Sequence, residues 1–126
     1  MDTSVFIAVE SQRPLKTELL PAETAISVVT VAELQAGVLA APTTHTRAAR
    51  LATLQRLAAT TIIPVDEAVA LTWAQMRVHL ADTKQRVNVN DLWIAASAAA
   101  HGLTLYSQDD DFEPLQTVAG LRVTMV

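Results

Sequence analysis

Residues 25–34 read Ala25-Ile26-Ser27-Val28-Val29-Thr30-Val31-Ala32-Glu33-Leu34. The first five are a β-branched run of strand length, and over residues 30–39 apolar side chains recur at helical spacing until Pro42 stops them. An extended segment therefore feeds a helix, and an acid, Glu33, stands near the changeover. Asp2, Asp91 and Asp109 occupy equivalent places, each where an apolar extended segment gives way to a helix-like pattern. Strands that alternate with helices build a parallel sheet, and the loops leaving the C-terminal ends of its strands open on one edge. The pattern predicts an α/β fold with a mainly parallel central sheet flanked by helices in α/β/α layers. It also brings four carboxylates toward one cleft.

The remaining segments keep the alternation. Residues 5–9 predict a short helix after Asp2 that ends before Pro14, and residues 45–59 a helix with Leu51, Leu54 and Ala58 on one stripe. Residues 61–65 are strand-like. Asp66 is placed to cap the next helix, where Val69, Trp73, Met76 and Leu80 recur at spacings of four, three and four and mark a core stripe. From Asp91 the chain is helical with small residues on several faces, which suits close packing on both sides, and Gly102 supplies a left-handed stop. Residues 103–107 and 121–126 complete the strands, with a turn of helix around 110–115 between them. No repeat, linker or low-complexity stretch divides the 126 residues. A single domain of this size buries roughly two thirds of its unfolded surface.

Carboxylates gathered in one cleft repel one another and resist desolvation, so they either share protons or hold hard cations. Each acid also has a plainer reading. Thr30 and Glu33 match a capping box, and Asp2 with Thr3 and Ser4, Asn90 with Asp91, and Ser107 with Asp109 have the composition of ordinary helix N-caps worth about 1 kcal/mol each. A cap need not be acidic, however, and here acids recur at the same sheet edge, where helix N-termini favour ionised carboxylates. The run Asp109-Asp110-Asp111 reads as a turn from which one or two side chains point inward.

Composition narrows the chemistry further. The chain has no cysteine, which excludes disulfides, thiolate zinc sites and cysteine nucleophiles and suits a reducing compartment. Residues 1–4 lack a basic leader region and no apolar run approaches the ~18 residues of a spanning helix, so the expectation is a soluble, cytoplasmic protein with no membrane partner. His45, His79 and His101 show no ligand spacing, and Gly37, Gly102 and Gly120 are isolated, so no phosphate-binding glycine loop exists. Neither of the two lysines, Lys16 and Lys84, follows a strand, which disfavours a phosphoacceptor receiver domain. Net charge is −4, yet residues 35–64 carry no acid while Arg47, Arg50, Arg56 and His45 fall there, leaving room for one locally basic face. Trp73 belongs to the core stripe; Trp93 is either core or a stacking surface for a base.

Taken together, Asp2-Thr3-Ser4-Val5-Phe6-Ile7, Ser27-Val28-Val29-Thr30-Val31-Ala32-Glu33-Leu34 with Gly37, Asn90-Asp91-Leu92-Trp93-Ile94-Ala95-Ala96 with Ala100-His101-Gly102, and Ser107-Gln108-Asp109-Asp110-Asp111-Phe112 resemble PIN-domain toxins of the VapC type. The likeness covers essentially the whole chain in order. It implies an Mg²⁺- or Mn²⁺-dependent endoribonuclease, acting on tRNA or rRNA, that is the toxin of a bacterial toxin–antitoxin pair and is inhibited by a VapB-type antitoxin. Position by position, Asp2, Glu33 and Asp91 match the family's three acids, and the fourth falls at Asp109 with Asp111 as substitute. Asp2 and Asp91 would hold the cation directly, with Glu33 and Asp109 completing an outer shell or a second site. Substrate affinity would come from cations contacting phosphates, for which Arg47, Arg50, Lys84 and Arg86 are candidates beside their reading as solvated surface charge.

Family members carry several apolar residues before the first motif aspartate, forming a central first strand, whereas only Met1 precedes Asp2 here. The expectation is a chain start that is truncated or numbered late, and a sheet lacking its central member if the strand is absent. A homodimer through residues 30–59 is expected from the resemblance and a mean hydropathy of +0.29. Two other readings remain open: a catalytically silent binding module on the same fold, and an Mg²⁺-dependent 5′-nuclease or phosphatase on a similar sheet.

Overall fold

Short β-branched segments pair in parallel, two by two. β1 (Ala25–Ser27) lies beside β2 (Thr61–Ile63) with Ile26 opposite Ile62, and β3 (Thr104–Ser107) lies beside β4 (Arg122–Met125) with Leu105 opposite Val123. The computed structural model describes residues 1–126. Five α-helices accompany these strands, α1 (Thr3–Glu10), α2 (Val28–Leu39), α3 (Thr44–Arg56), α4 (Glu67–Thr83) and α5 (Val89–Ala100), with α2 followed directly by α3 and α4 directly by α5. The parallel pairing is as the sequence predicts, but the extended segment expected before Asp91 is absent, since α4 leads straight into α5.

The sheet, however, is in two halves. Only Met1 and Asp2 bridge them. The Met1 ammonium donates to the Ala25 carbonyl on one side at 2.8 Å, and the Asp2 N–H donates to the Tyr106 carbonyl on the other at 2.8 Å. Successive N–H groups pointing to opposite sides is strand geometry, but two residues cannot make a ladder. Beside them a cavity of about 330 Å³ separates the halves, bordered by Ala25, Ser27 and Ile63 from one ribbon, Leu105 and Tyr106 from the other, and Ile94 and Ala98 of α5. Burial in this gap lowers the Met1 amine to about 6, against the opposing pull of the Asp2 carboxylate. The two ribbons thus stay apart on either side of Met1 and Asp2, and the Asp2 backbone is held by its bond to Tyr106.

The main core joins Val69, Met76 and Leu80 of α4 to Leu92, Ile94, Ala95, Ala96 and Ala98 of α5, with Leu105, Phe112, Leu115 and Leu121 closing it. Ala95 and Ala96 are fully buried, so small side chains let α5 sit between α4 and the strands. Asp66 caps α4 by accepting from the Val69 N–H at 2.9 Å, and Gly102 takes a φ of 65° just past α5, both as expected. A smaller cluster of Ile26, Leu34 and Leu57 lies under α2 and α3.

The α3 stripe differs from expectation. Leu51 and Ala58 are exposed, and the inward face runs through Thr46, Arg50, Thr53, Leu54 and Leu57, spaced four, three, one and three. The helix turns Arg50 toward α2 because the guanidinium finds a carbonyl there, that of Gly37 at 2.7 Å. The same face packs Leu54 and Leu57 against the smaller cluster, which leaves Leu51 outward.

Candidate functional site

Four of the acidic positions named from sequence approach one another at the C-terminal edge of the two ribbons. Asp2 is buried, 3% exposed, and begins α1 as its N-cap, accepting from the Ser4 N–H at 3.4 Å. The same carboxylate oxygen, Oδ2, accepts from the Ser4 hydroxyl at 2.6 Å and the Ser107 hydroxyl at 3.1 Å. Those hydroxyls in turn accept from the loop after β3: Gln108 N–H to Ser4 Oγ and Asp109 N–H to Ser107 Oγ, each at 3.0 Å. One relay of two serines therefore ties the start of the chain to the strand end where the fourth acid sits.

The capping readings of the other acids are corrected. Helix α2 begins two residues before the expected box, with Ser27 as its N-cap accepting from the Val29 N–H at 3.1 Å. Thr30 is consequently a buried helical residue, and Glu33 lies in the second turn, where no free amide remains for it to cap. Its Oε1 accepts instead from Thr3 Oγ1 at 2.6 Å across the helix pair. Helix α5 is capped by Asn88, which accepts from the Asn90 N–H at 2.9 Å, so neither Asn90 nor Asp91 is the cap. Asp91 stands half-buried in the first helical turn with no hydrogen-bond partner. No helix starts at Asp109 either; the chain bends there before a 3₁₀ turn at Glu113–Leu115.

The electrostatics show that the acids share one field. Asp91 is pushed up to about 7, first by loss of hydration and then by repulsion from Asp2, Glu33, Asp111 and Asp109 in that order. Asp109 is also raised, by burial first and then by Asp111 and Asp2, with Arg13 pulling the other way. Both Asp109 and Asp111 thus reach the cluster, and Asp111 acts on Asp91 more strongly than Asp109 does.

As placed, no three of these side chains are drawn together tightly enough to enclose an ion directly. The donor set is all hard oxygen, and the repulsion borne by Asp91 is what a cation relieves. A loose ring of this kind suits Mg²⁺, which keeps several of its waters and binds through one or two carboxylates. The residues fit a partly hydrated hard cation and do not fit a thiolate- or imidazole-selecting metal. His101, at the far end of α5 roughly 15 Å from Asp91, is paired with Asp66 at 3.7 Å.

Among the candidate phosphate contacts, Arg50 is half-buried beside Glu33 in a cleft between α1, α2 and α3. Arg47 is exposed and reaches the Ala41 carbonyl at 3.5 Å. Lys84 is the left-handed residue that ends α4, and both it and Arg86 are exposed on the link to α5. Trp93 stacks on Trp73 at 4.9 Å, with both rings packed against the core. Sequence reasoning missed Thr3, Ser4, Ser107 and Arg13. The first three were visible beside acids but had been assigned to caps; Arg13 follows a helix end and carries no local signal.

A family model described as "PIN domain" matches residues 1–116. The protein named "Ribonuclease VapC5" from Mycobacterium tuberculosis is 52% identical over 126 residues, covering 100% of this chain and 93% of the relative. "Ribonuclease VapC4" from the same organism is 41% identical over 122 residues, covering 97% of this chain and 94% of the relative. A crystal structure of VapBC-5 from M. tuberculosis, described as a member of the VapBC family of toxin–antitoxin systems, superposes with a TM-score of 0.92 at 50% identity, covering 99% of this chain and 95% of that one.

Proposed function

The chain belongs to the PIN-domain family, and on that premise we propose that it is the ribonuclease toxin of a type II toxin–antitoxin pair, hydrolysing RNA phosphodiesters with a divalent cation. The observation that carries this reading is Asp91, an unpartnered carboxylate pushed up to about 7 by burial and then by the four acids around it. Perturbed groups of this kind gather where charge is arranged for chemistry rather than stability. Asp2 and Asp91 would hold Mg²⁺ or Mn²⁺, with Glu33 and Asp109 or Asp111 in the outer shell. A cation there supplies Lewis acidity and neutralises charge on the phosphoryl group. The chain's own residues do the rest. Ser4 and Ser107 fix Asp2 through Oδ2 and leave Oδ1 free, while Thr3 fixes one oxygen of Glu33. Asp91, near neutrality in its pKa, releases a proton as positive charge enters the site and can take one up as it leaves.

The partner expected from the relatives is an antitoxin of the VapB kind, seen with the toxin in the VapBC-5 structure. We propose that its inhibitory group is an arginine or lysine set among the acids, because a guanidinium pairs bidentately with carboxylates at low hydration cost. Self-association is a further proposal, supported by apolar side chains left exposed on α2 and α3, notably Leu39 at 82% and Leu51 at 41%. A sedimentation mass of one chain across micromolar concentrations would refute it.

The test of the main reading is Asp91→Asn. The change keeps volume, removes the ligand charge and relieves repulsion, so the protein should fold at least as stably while RNA cleavage falls roughly a thousandfold or more. A folded Asp91→Asn protein that cleaves RNA at the wild-type rate would rule the reading out. Parallel assays on DNA and on small phosphoesters separate it from a 5′-nuclease or phosphatase.

A further inference from the structure

The cleft between α1, α2 and α3 holds about 330 Å³ and shares Thr3 and Glu33 with the acidic site. Its floor carries one cation. Arg50 is half-buried there, its stem passing Gly37 closely enough that a Cβ on that glycine would meet Arg50 Cδ at 3.8 Å, and its Nη1 donates to the Gly37 carbonyl at 2.7 Å. That bond uses one of five guanidinium N–H groups and orients the others. No carboxylate pairs with Arg50; the one ion pair in the chain is His101 with Asp66. A guanidinium held by a backbone carbonyl, unpaired and facing a polar cleft, is a preorganised fork for a phosphate. None of Arg47, Lys84 and Arg86 has both this anchoring and this proximity to an acid of the site.

From this arrangement we infer that Arg50 is a substrate-positioning residue that binds a backbone phosphate of single-stranded RNA next to the one cleaved, with the α1–α2–α3 cleft as the track for the flanking nucleotide. The inference rests on the ribonuclease reading and deepens it. Glu10 and Glu33 line the same cleft and discourage an anion on their own. Arg50 is thus needed to offset them, and the cation proposed at Glu33 adds to it.

The experiment uses the intact chain, Mg²⁺ and a short, fluorescently labelled, mixed-sequence single-stranded RNA, with cleavage kinetics measured across a salt series. Arg50→Gln keeps an N–H donor for the Gly37 carbonyl while removing the charge, and its melting temperature reports that the fold is kept. It should raise KM roughly tenfold, leave kcat within about twofold, and lower the log–log salt slope of kcat/KM by about 0.7, the share of one phosphate on a single strand. Arg50→Lys should recover part of the loss, and Arg56→Gln, an exposed charge further along α3, should change KM less than about twofold. An Arg50→Gln protein with wild-type KM and salt slope overturns the inference while leaving the ribonuclease reading intact. So does unchanged KM together with a weakened hold on the antitoxin, which would give the cleft to a carboxylate of the protein partner. A wild-type chain that cleaves no RNA overturns both.

Discussion

The two ends of the strands are built on opposite principles. At the C-terminal edge, Asp2, Ser4, Ser107 and Gln108 close a connected set of hydrogen bonds, with buried hydroxyls serving both as donors and as acceptors. Toward the other end, between β1 and β3, about 330 Å³ of space stands where a sheet would be continuous, and the Met1 amine, lowered to about 6 by burial, lies beside it. Both regions meet at Met1 and Asp2. The difference teaches that the acidic edge does not depend on an unbroken sheet for its geometry: the Ser4 and Ser107 hydroxyls tie Asp2 to β3 and the loop after it.

Breaking the hydroxyl relay should have the largest effect after loss of Asp91 itself. Ser107 is fully buried and serves Asp2 and the Asp109 amide at once. Ser107→Ala should cost about 1–3 kcal/mol of stability and lower cleavage roughly 10- to 100-fold, read by thermal melting and by RNA turnover. Wild-type turnover in this variant would show that the gap, not the relay, sets the position of Asp2.

Filling the gap tests the other region. Three apolar β-branched residues added ahead of Met1 should enter the space between the ribbons, replace the buried ammonium by a peptide N–H and extend pairing to Ala25. A rise in Tm of several degrees is expected, since roughly 1 kcal/mol shifts a domain of this size by about 3–5 °C. A glycine–serine extension of equal length should give none. If both behave alike, the cavity is not a strand-shaped space.

A smaller effect distinguishes the regions by pH. The Met1 amine, lowered to about 6 from its usual value near 8, contributes stability that is present above about pH 8 and lost as pH falls toward 6. Asp91, raised to about 7, contributes stability that is present below pH 4 and lost as pH rises through 7. The two slopes oppose each other between pH 6 and 7. Urea unfolding of Asp91→Asn should therefore show stability rising steadily from pH 6 to 8, whereas the wild type is flatter over the lower half of that window. Adding Mg²⁺ to the wild type should remove the Asp91 slope and leave that of the amine. A pH profile identical in both proteins would mean that Asp91 titrates as an ordinary exposed carboxylate.

Much of this molecule could be read from local pattern. Periodicity placed the helices and strands, because a face buried against neighbours must repeat at the period of its own backbone, and Val69, Met76 and Leu80 are buried as their spacing required. The acids expected at one edge do approach one another, but only Glu33 and Asp109 come after a strand; Asp91 stands on α5, which the chain reaches directly from α4, so its arrival there is a matter of helix packing rather than of strand direction. What local pattern could not supply was any decision made between distant residues. The bond of Arg50 to the Gly37 carbonyl and the contact of Ser4 with Ser107 join residues 13 and 103 apart, and no local pattern marks either. The division of the sheet is of the same kind. Its strands are each legible, but whether β1 and β3 meet is settled by what lies between them, where Met1 donates to Ala25 on one side and Asp2 to Tyr106 on the other while the two ribbons stay apart.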